Sequence, residues 1–172
     1  EARAHLTSLA RAQGVVITPK DLIIGAMGEL HKNKGYEYLI ESFAELTLDF
    51  TTPVKLVVMG EGEERTHLET LIRKFRAEKY VALVGFVADS PTYLYAFDVF
   101  TLTSIKEGLP YVVIEAGFAG LPTVATNVGG VKEIIDDMKS GILVQTRKPT
   151  DIAQALHMLL TENEKALTFG KN

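Results

Sequence analysis

Residues 98–127 read DVFTLTSIKEGLPYVVIEAGFAGLPTVATN. The stretch opens with a β-rich run (98–103), passes through a loop holding Gly108, and continues as an apolar run of helical length (110–120). A second Gly-Leu-Pro then introduces another β-rich run (122–127). Strand, helix and strand in this order form a βαβ unit, whose two strands lie parallel and whose crossover is right-handed. The pattern extends in both directions. Candidate strands are DLIIGAM (21–27), VKLVVMG (54–60), VALVGFV (81–87) and GILVQ (141–145). Several are near-continuous Val, Ile and Leu runs, as strands covered on both faces require. Helical segments are expected over 1–13, 34–50, 63–80, 131–137 and 149–164, with a short one over 90–97. In 63–80, Leu68, Leu71, Ile72 and Phe75 recur at helical spacing among charged residues, the pattern of an amphipathic helix. The expected fold class is α/β, with a doubly wound, six-stranded parallel Rossmann-like sheet. Residues 1–20 read as a lead-in helix and a turn at Thr18-Pro19, and 21–172 as the domain proper.

Composition narrows the function classes. The 172 residues are 47% hydrophobic and 23% charged, ordinary values for a globular chain with a real core. The net charge of −4 gives no reason to expect nucleic acid or an anionic membrane as partner. No apolar run approaches the roughly 20 residues that span a bilayer, and no signal peptide is recognisable. Cysteine is absent, which excludes disulfides and thiolate metal sites and fits a cytoplasmic setting. His5, His31, His67 and His157 lack ligand-like spacing, so no metal is expected.

In an open α/β sheet, ligands bind beyond the carboxyl ends of the strands. The loops there are GELHKNKG (28–35), GEGEE (60–64), GFVADS (85–90), SIKEGLP (104–110) and NVGGVKE (127–133). Each contains glycine, which lets backbone approach a ligand closely and exposes amide donors. No G-x-G-x-x-G follows the first strand, and neither a P-loop nor a G-x-S-x-G elbow occurs. Pro110 suits the first helical position and Gly120 ends the helix. Val112, Val113, Ile114, Ala116, Phe118 and Ala119 leave no polar face, so this helix is expected to be buried. Glu115 then needs a partner; a basic residue of the fold, a backbone donor and a ligand hydroxyl all meet that need. Glu107, taken alone, reads as a solvated loop residue. The helix N-terminus from Gly108 to Val112 is suited to phosphate, and Lys34 adds a cation.

These residues resemble a known family. SIKEGLPYVVIEAGFAGLPTVATNVGGVKEII (104–135) is similar to the signature region of the group 1 (family 4) retaining glycosyltransferases of GT-B architecture, whose hallmark is two glutamates separated by seven residues, here Glu107 and Glu115. GELHKNKGYEYLIESFAEL, LVVMGEGEE, VALVGFVADSPTYLYAFDVFTLTS and SGILVQTRKPTDIAQALHMLL match further blocks in the same order. The resemblance implies one half of a GT-B enzyme: the C-terminal, donor-binding domain, with residues 1–20 leading in from an inter-domain junction. The implied reaction moves a sugar from a UDP-, GDP- or ADP-linked donor to an acceptor hydroxyl with retention. The implied partner is the enzyme's own N-terminal acceptor domain. Without it the domain is expected to bind donor but transfer little, and any membrane contact would come through that other domain.

The implied roles transfer position by position. Glu115 matches the glutamate at the ribose hydroxyls, and Glu107 the one beside the transferred sugar. Gly108, Leu109, Tyr111 and Val112 match the backbone that holds sugar and diphosphate. Phe86 and Val87 match the segment whose backbone meets the base. Lys34 matches the lysine that neutralises the diphosphate, so no metal cofactor is implied. Many members carry Arg where this chain has Glu29, and a carboxylate there removes Coulombic help from the phosphates. Lys32 and Lys106 are the candidates to substitute for that arginine, or Glu29 turns away from the phosphates; Gly28 is a further candidate position of the site. The competing readings are a non-catalytic nucleotide-binding module and a GT-B-type sugar-nucleotide 2-epimerase. A receiver-like domain would need acidic residues clustered after the first and third strands, where this chain has GAMGEL and VGFVAD.

Overall fold

The computed structural model describes residues 1–47 and 53–172. The described helices are α1 (Ala2–Ala12), α2 (Tyr36–Leu46), α3 (Arg65–Lys74), α4 (Tyr111–Phe118), α5 (Val131–Ile134), α6 (Pro149–Thr161) and α7 (Asn163–Lys171). The strands are β1 (Leu22–Met27), β2 (Val54–Met59), β3 (Val81–Gly85), β4 (Val99–Leu102), β5 (Thr123–Thr126) and β6 (Ile142–Val144). Two 3-10 turns, Lys32–Lys34 and Ser90–Ala96, precede α2 and β4. The strands form one six-stranded sheet in the order β3-β2-β1-β4-β5-β6. Every pairing is parallel, with Leu22 opposite Val54, Ile24 opposite Val99, Phe100 opposite Thr123 and Val124 opposite Ile142.

Alternating strand residues feed two separate cores. Ile24, Leu56 and Val58 face Leu39, Ile40 and Phe43 of α2 and Ile152 and Leu156 of α6. Ile23, Val57 and Phe100 face the other way, toward Leu6 and Ala10 of α1 and Val113 and Ala116 of α4. With both faces covered, all six residues of β2 are buried, Lys55 among them. Its ammonium donates to the Lys79 carbonyl at 2.9 Å and lies 4.7 Å from the centre of the Tyr80 ring. Gly25 sits in the middle of β1 because the Phe97 ring occupies the place of a side chain there. That contact seats the start of β4 against β1.

The six expected strands are all present, while several helices are shorter than their sequence pattern. Residue 34 falls in the 3-10 turn, and residues 48–50 of the expected 34–50 helix lie outside the described residues. The expected 63–80 helix stops at Lys74, because Arg76 adopts a left-handed backbone with φ 54°. Arg76 N then donates to Arg73 O at 3.0 Å and Ala77 N to Ile72 O at 2.9 Å, the Schellman arrangement. That position usually carries glycine, so an arginine there gave no stop signal. The expected 131–137 helix is a single turn ending at Ile134. Pro110 lies one residue outside α4, extended at ψ 95°, and caps the helix rather than beginning it.

The strand-end loops pack on one another through glycine. At Gly60, with φ +151°, a Cβ would lie against the Gly28 carbonyl oxygen, which is backbone and cannot swing aside. Gly60→Ala should therefore lower stability by about 2–5 kcal/mol through combined backbone strain and overpacking. Gly108→Ala, with nothing within 4 Å of the new Cβ, should stay within about 0.5 kcal/mol of wild type. Urea unfolding of both variants checks this; equal midpoints would refute the packing account.

Candidate functional site

The strand order reverses between β1 and β4, and the loops leaving these two strands meet beyond their carboxyl ends. The turn after β1 is held by His31, whose Nδ1 accepts from Asn33 N at 3.1 Å. It is bound to the β4 loop by Ile105 N donating to Asn33 O at 2.7 Å and Thr103 Oγ1 donating to Lys34 O at 3.1 Å. The backbone of Lys34 is therefore fixed relative to β4. Its ammonium crosses the divide to Glu107 Oε1 at 2.6 Å, with the two side chains only 28% and 12% exposed. Ser104, fully buried, donates to the same oxygen at 2.7 Å. The Ser104 carbonyl in turn accepts from Thr126 Oγ1 of β5 at 2.6 Å. Both protein donors converge on Oε1. Among the described residues Oε2 has no partner, so the carboxylate is anchored through one oxygen and offers the other.

Tyr36, the first residue of α2, lies beneath this pair at 5% exposure. The space a Gly28 side chain would take is bounded by Tyr36 Oη at 3.1 Å and Lys34 Cε at 3.6 Å. Burial, and secondarily the negative charge of Glu107, push the Tyr36 hydroxyl well above the ordinary tyrosine range, so it stays a neutral donor.

On the other side, α4 presents its N-terminus to the same rim. The amides of Tyr111 and Val112 precede the first hydrogen bond of that turn, Val113 N to Pro110 O at 3.0 Å. Gly108 and Leu109 are exposed, and the Gly108 carbonyl accepts from Gly130 N at 2.7 Å. The Gly129-Gly130 pair after β5 thus buttresses the Glu107–Gly108 backbone instead of opening toward a ligand. The expectation of a buried α4 is corrected. Only Val113 and Ala116 are buried, while Tyr111 is 71% and Phe118 86% exposed. An apolar composition leaves no polar face, yet a helix on the flank of a sheet still has an outer side. Glu115 is accordingly half-buried, and among the described residues its carboxylate has neither ion pair nor hydrogen bond.

Next to these groups a groove of about 290 Å³ is lined by Gly28, Glu29, Gly60, Glu61, Phe86 and Val87. Phe86 is 81% exposed and Val87 half-buried. Glu61 is held by Arg65 at 3.1 Å, whereas Glu29 is exposed and, among the described residues, has no ion pair. Lys32 and Lys106 are also exposed and make no ion pair among the described residues, so neither is committed to Glu29. Among the described residues no three His, Cys, Asp or Glu side chains converge as a metal site. A larger groove of about 460 Å³ lies along α2 and α6, away from the strand ends.

The profile of the family described as glycosyl transferases group 1 matches residues 11–172. The chain belongs to the group 1 glycosyltransferases. Among curated relatives of this glycosyltransferase domain is the Campylobacter jejuni N-acetylgalactosamine-N,N'-diacetylbacillosaminyl-diphospho-undecaprenol 4-alpha-N-acetylgalactosaminyltransferase, 32% identical over 91% of the chain and 42% of the relative. Another is the Rhizobium meliloti lipopolysaccharide core biosynthesis glycosyltransferase LpsE, 31% identical over 85% of the chain and 42% of the relative. The chain thus spans about two-fifths of the length of the curated relatives it matches. Among solved structures, the C-terminal domain of a group 1 glycosyltransferase from Francisella tularensis aligns with TM-score 0.81 at 27% identity, covering 96% of this chain and 87% of that one. Anabaena HepE in complex with UDP-glucose aligns with TM-score 0.84 at 25% identity, over 98% of this chain and 46% of that one. No helix among the described residues of the glycosyltransferase domain is long and apolar enough to cross a membrane.

The structure brings Lys34, Glu107, Gly108, Leu109, Tyr111, Val112 and Glu115 of the glycosyltransferase domain to one rim. Gly28, Glu29, Phe86 and Val87 line the adjoining groove. Sequence reasoning missed Ser104 and Tyr36. Ser104 had a weak signal, a small hydroxyl between an apolar strand and a glutamate; Tyr36 had none, being one aromatic on an apolar helix face. Tyr36 has a consequence for alkaline stability. Unfolded, its hydroxyl ionises near 10, whereas folded it holds its proton to higher pH. The unfolded state thus releases protons first, and stability that is intact below pH 10 falls as pH rises above it. Tyr36→Phe should flatten that fall, measured as urea midpoints between pH 8 and pH 11 (roughly the window set by the ordinary tyrosine value).

Proposed function

We propose that this rim binds a nucleoside-diphosphate sugar and presents it for transfer to an acceptor hydroxyl with retention of configuration. The observation that carries the reading is the pair of carboxylates flanking the α4 N-terminus, each with an oxygen that no group among the described residues meets. Glu115 takes the ribose hydroxyls, and Glu107, through Oε2, takes hydroxyls of the sugar. The amides at Gly108, Leu109, Tyr111 and Val112 receive phosphate oxygens with the positive end of the α4 dipole behind them. Lys34 supplies the positive charge, so neutralisation of the diphosphate is assigned to a side chain rather than to a metal ion. Phe86 and Val87 border the groove assigned to the base. The HepE complex with UDP-glucose makes UDP-linked sugars the first donors to test.

In the proposed reaction the bond between the anomeric carbon and the phosphate oxygen breaks while the acceptor oxygen bonds to the same face of the sugar. The acceptor proton passes to the departing phosphate. Negative charge on that phosphate grows as the bond breaks, and donors already aimed at it stabilise this state more than the bound substrate. The two glutamates are not a glycosidase pair acting on one bond; they span the donor from sugar to ribose. The acceptor is assigned to the part of the protein beyond these residues, so the isolated domain binds donor without transferring it. In the same cleft, the exposed carboxylate of Glu29 opposes the diphosphate.

Calorimetry with UDP, UDP-glucose, GDP and ADP tests the reading. Glu115→Ala should weaken the bound nucleotide about tenfold, near 1.4 kcal/mol, as expected for loss of charge-assisted hydrogen bonds. Glu107→Gln should weaken UDP-glucose more than UDP. Glu29→Gln should tighten both by removing a like charge, more so at low salt. Failure of the domain to bind any of the four compounds would sink the donor-site reading.

A further inference from the structure

Among the described residues the one side-chain hydroxyl both sealed from solvent and without a partner is Thr101 Oγ1. A hydroxyl that meets no protein group yet stays open at the end of a buried ring is instead available to a ligand. Tyr36 is in that position. It is 5% exposed, and among the described residues its Oη neither donates nor accepts a hydrogen bond. Satisfied neighbours underline the contrast: Ser104 is met by Glu107, and Thr103 by the Lys34 carbonyl. The ring packs into the core beneath the sheet, with Leu39, Ile40 and Phe43 of the same helix in the same cluster. A phenylalanine would serve that packing equally well. The hydroxyl instead reaches the spot in front of Gly28, 3.1 Å from where a Cβ would stand, beside the stem of Lys34. Gly28 has no side chain to close the spot, so Oη looks into the space that Lys34 and the Gly28 backbone border.

We propose that Tyr36 Oη is a further donor-binding group, donating a hydrogen bond to a phosphate oxygen of the nucleotide sugar alongside Lys34. This rests on the nucleotide-sugar reading of the rim. The chemistry selects an anionic oxygen. Burial and Glu107 keep the phenol protonated, so it donates, and a nearby carboxylate disfavours a second negative charge on the ring. Tyr36 also begins α2, whose N-terminal amides carry the positive end of a second helix dipole toward the same place. Two helix N-termini, one ammonium and one neutral phenol then share the diphosphate, which offsets part of the Coulombic loss at Glu29.

Tyr36→Phe removes the hydroxyl and leaves the ring. Calorimetry on the 172-residue chain, wild type and variant, with uridine, UDP and UDP-glucose separates the contacts. The expected result is a five- to tenfold loss for UDP and for UDP-glucose, no change for uridine, and an unliganded urea midpoint at pH 7 equal to or above wild type. Equal UDP affinity in the two proteins overturns the proposal, as does a loss confined to UDP-glucose, which would move the contact to the sugar. A lowered unliganded midpoint with unchanged affinity also overturns it, by making the hydroxyl structural. If wild type binds none of these compounds, the donor-site reading fails and takes the contact with it. If wild type binds UDP and Glu115→Ala weakens it while Tyr36→Phe does not, only the contact fails.

Discussion

The rim depends on β4 lying directly beside β1. Only two residue pairs hold the strands in register, Ile24 with Val99 and Gly25 with Phe100. Around them the Phe97 ring lies on Gly25, and the Asp98 amide donates to the Ile23 carbonyl at 2.9 Å. Because the chain has already added β2 and β3 on the other side of β1, the crossover into β4 reverses the direction of winding. A cleft opens wherever adjacent loops diverge in this way, and here it separates Lys34 from Glu107 in sequence while joining them in space. Their 2.6 Å ion pair closes the base of the cleft.

The ion pair stands on a rigid support. Main-chain and hydroxyl contacts tie the β1 turn to the β4 loop, Thr126 fixes Ser104, and Gly130 fixes Gly108. None of these contacts engages the outward oxygen of Glu107 or the carboxylate of Glu115. Protein donors are spent on one oxygen, so the geometry is set before any ligand arrives, and little reorganisation is needed when charge develops at the site. Glycine serves this support as much as it serves ligand access. At Gly60 and Gly129 the close neighbour is another loop's carbonyl, whereas at Gly108 nothing lies within 4 Å of where a Cβ would stand.

Legibility varied with the range of the physics involved. Strands were legible because burial on both faces leaves short, β-branched, near-continuous apolar runs such as LIIGAM and VKLVVM, too short for a buried helix. The end of α3 was not legible, since Arg76 takes the left-handed cap without the glycine that usually marks it. The exposure of α4 was misjudged from composition. Eight residues with one charge look buried, yet which side of a helix meets the sheet is settled by its neighbours. Lys34, Glu107 and Glu115 stood out through the spacing of the two glutamates and the order of the surrounding blocks. Ser104 and Tyr36 did not, because their part at the site lies in which atom each hydroxyl meets or fails to meet.

The sequence by itself determined the class of fold, the number and kind of strands, the family, and the set of charged residues available to a ligand. Each of these follows from local pattern: periodicity, apolar continuity and motif spacing. Only the tertiary structure decided that Lys34 neutralises Glu107, that Ser104 shares the same oxygen, that Glu115 is left unmet at a half-exposed helix face, and that the Tyr36 hydroxyl ends in an unfilled space before Gly28. Those are contacts between residues as many as 73 positions apart. They arise from the reversal at β1 and β4, where side chains of unrelated sequence segments are pressed to within hydrogen-bonding distance and Coulomb attraction selects the partners.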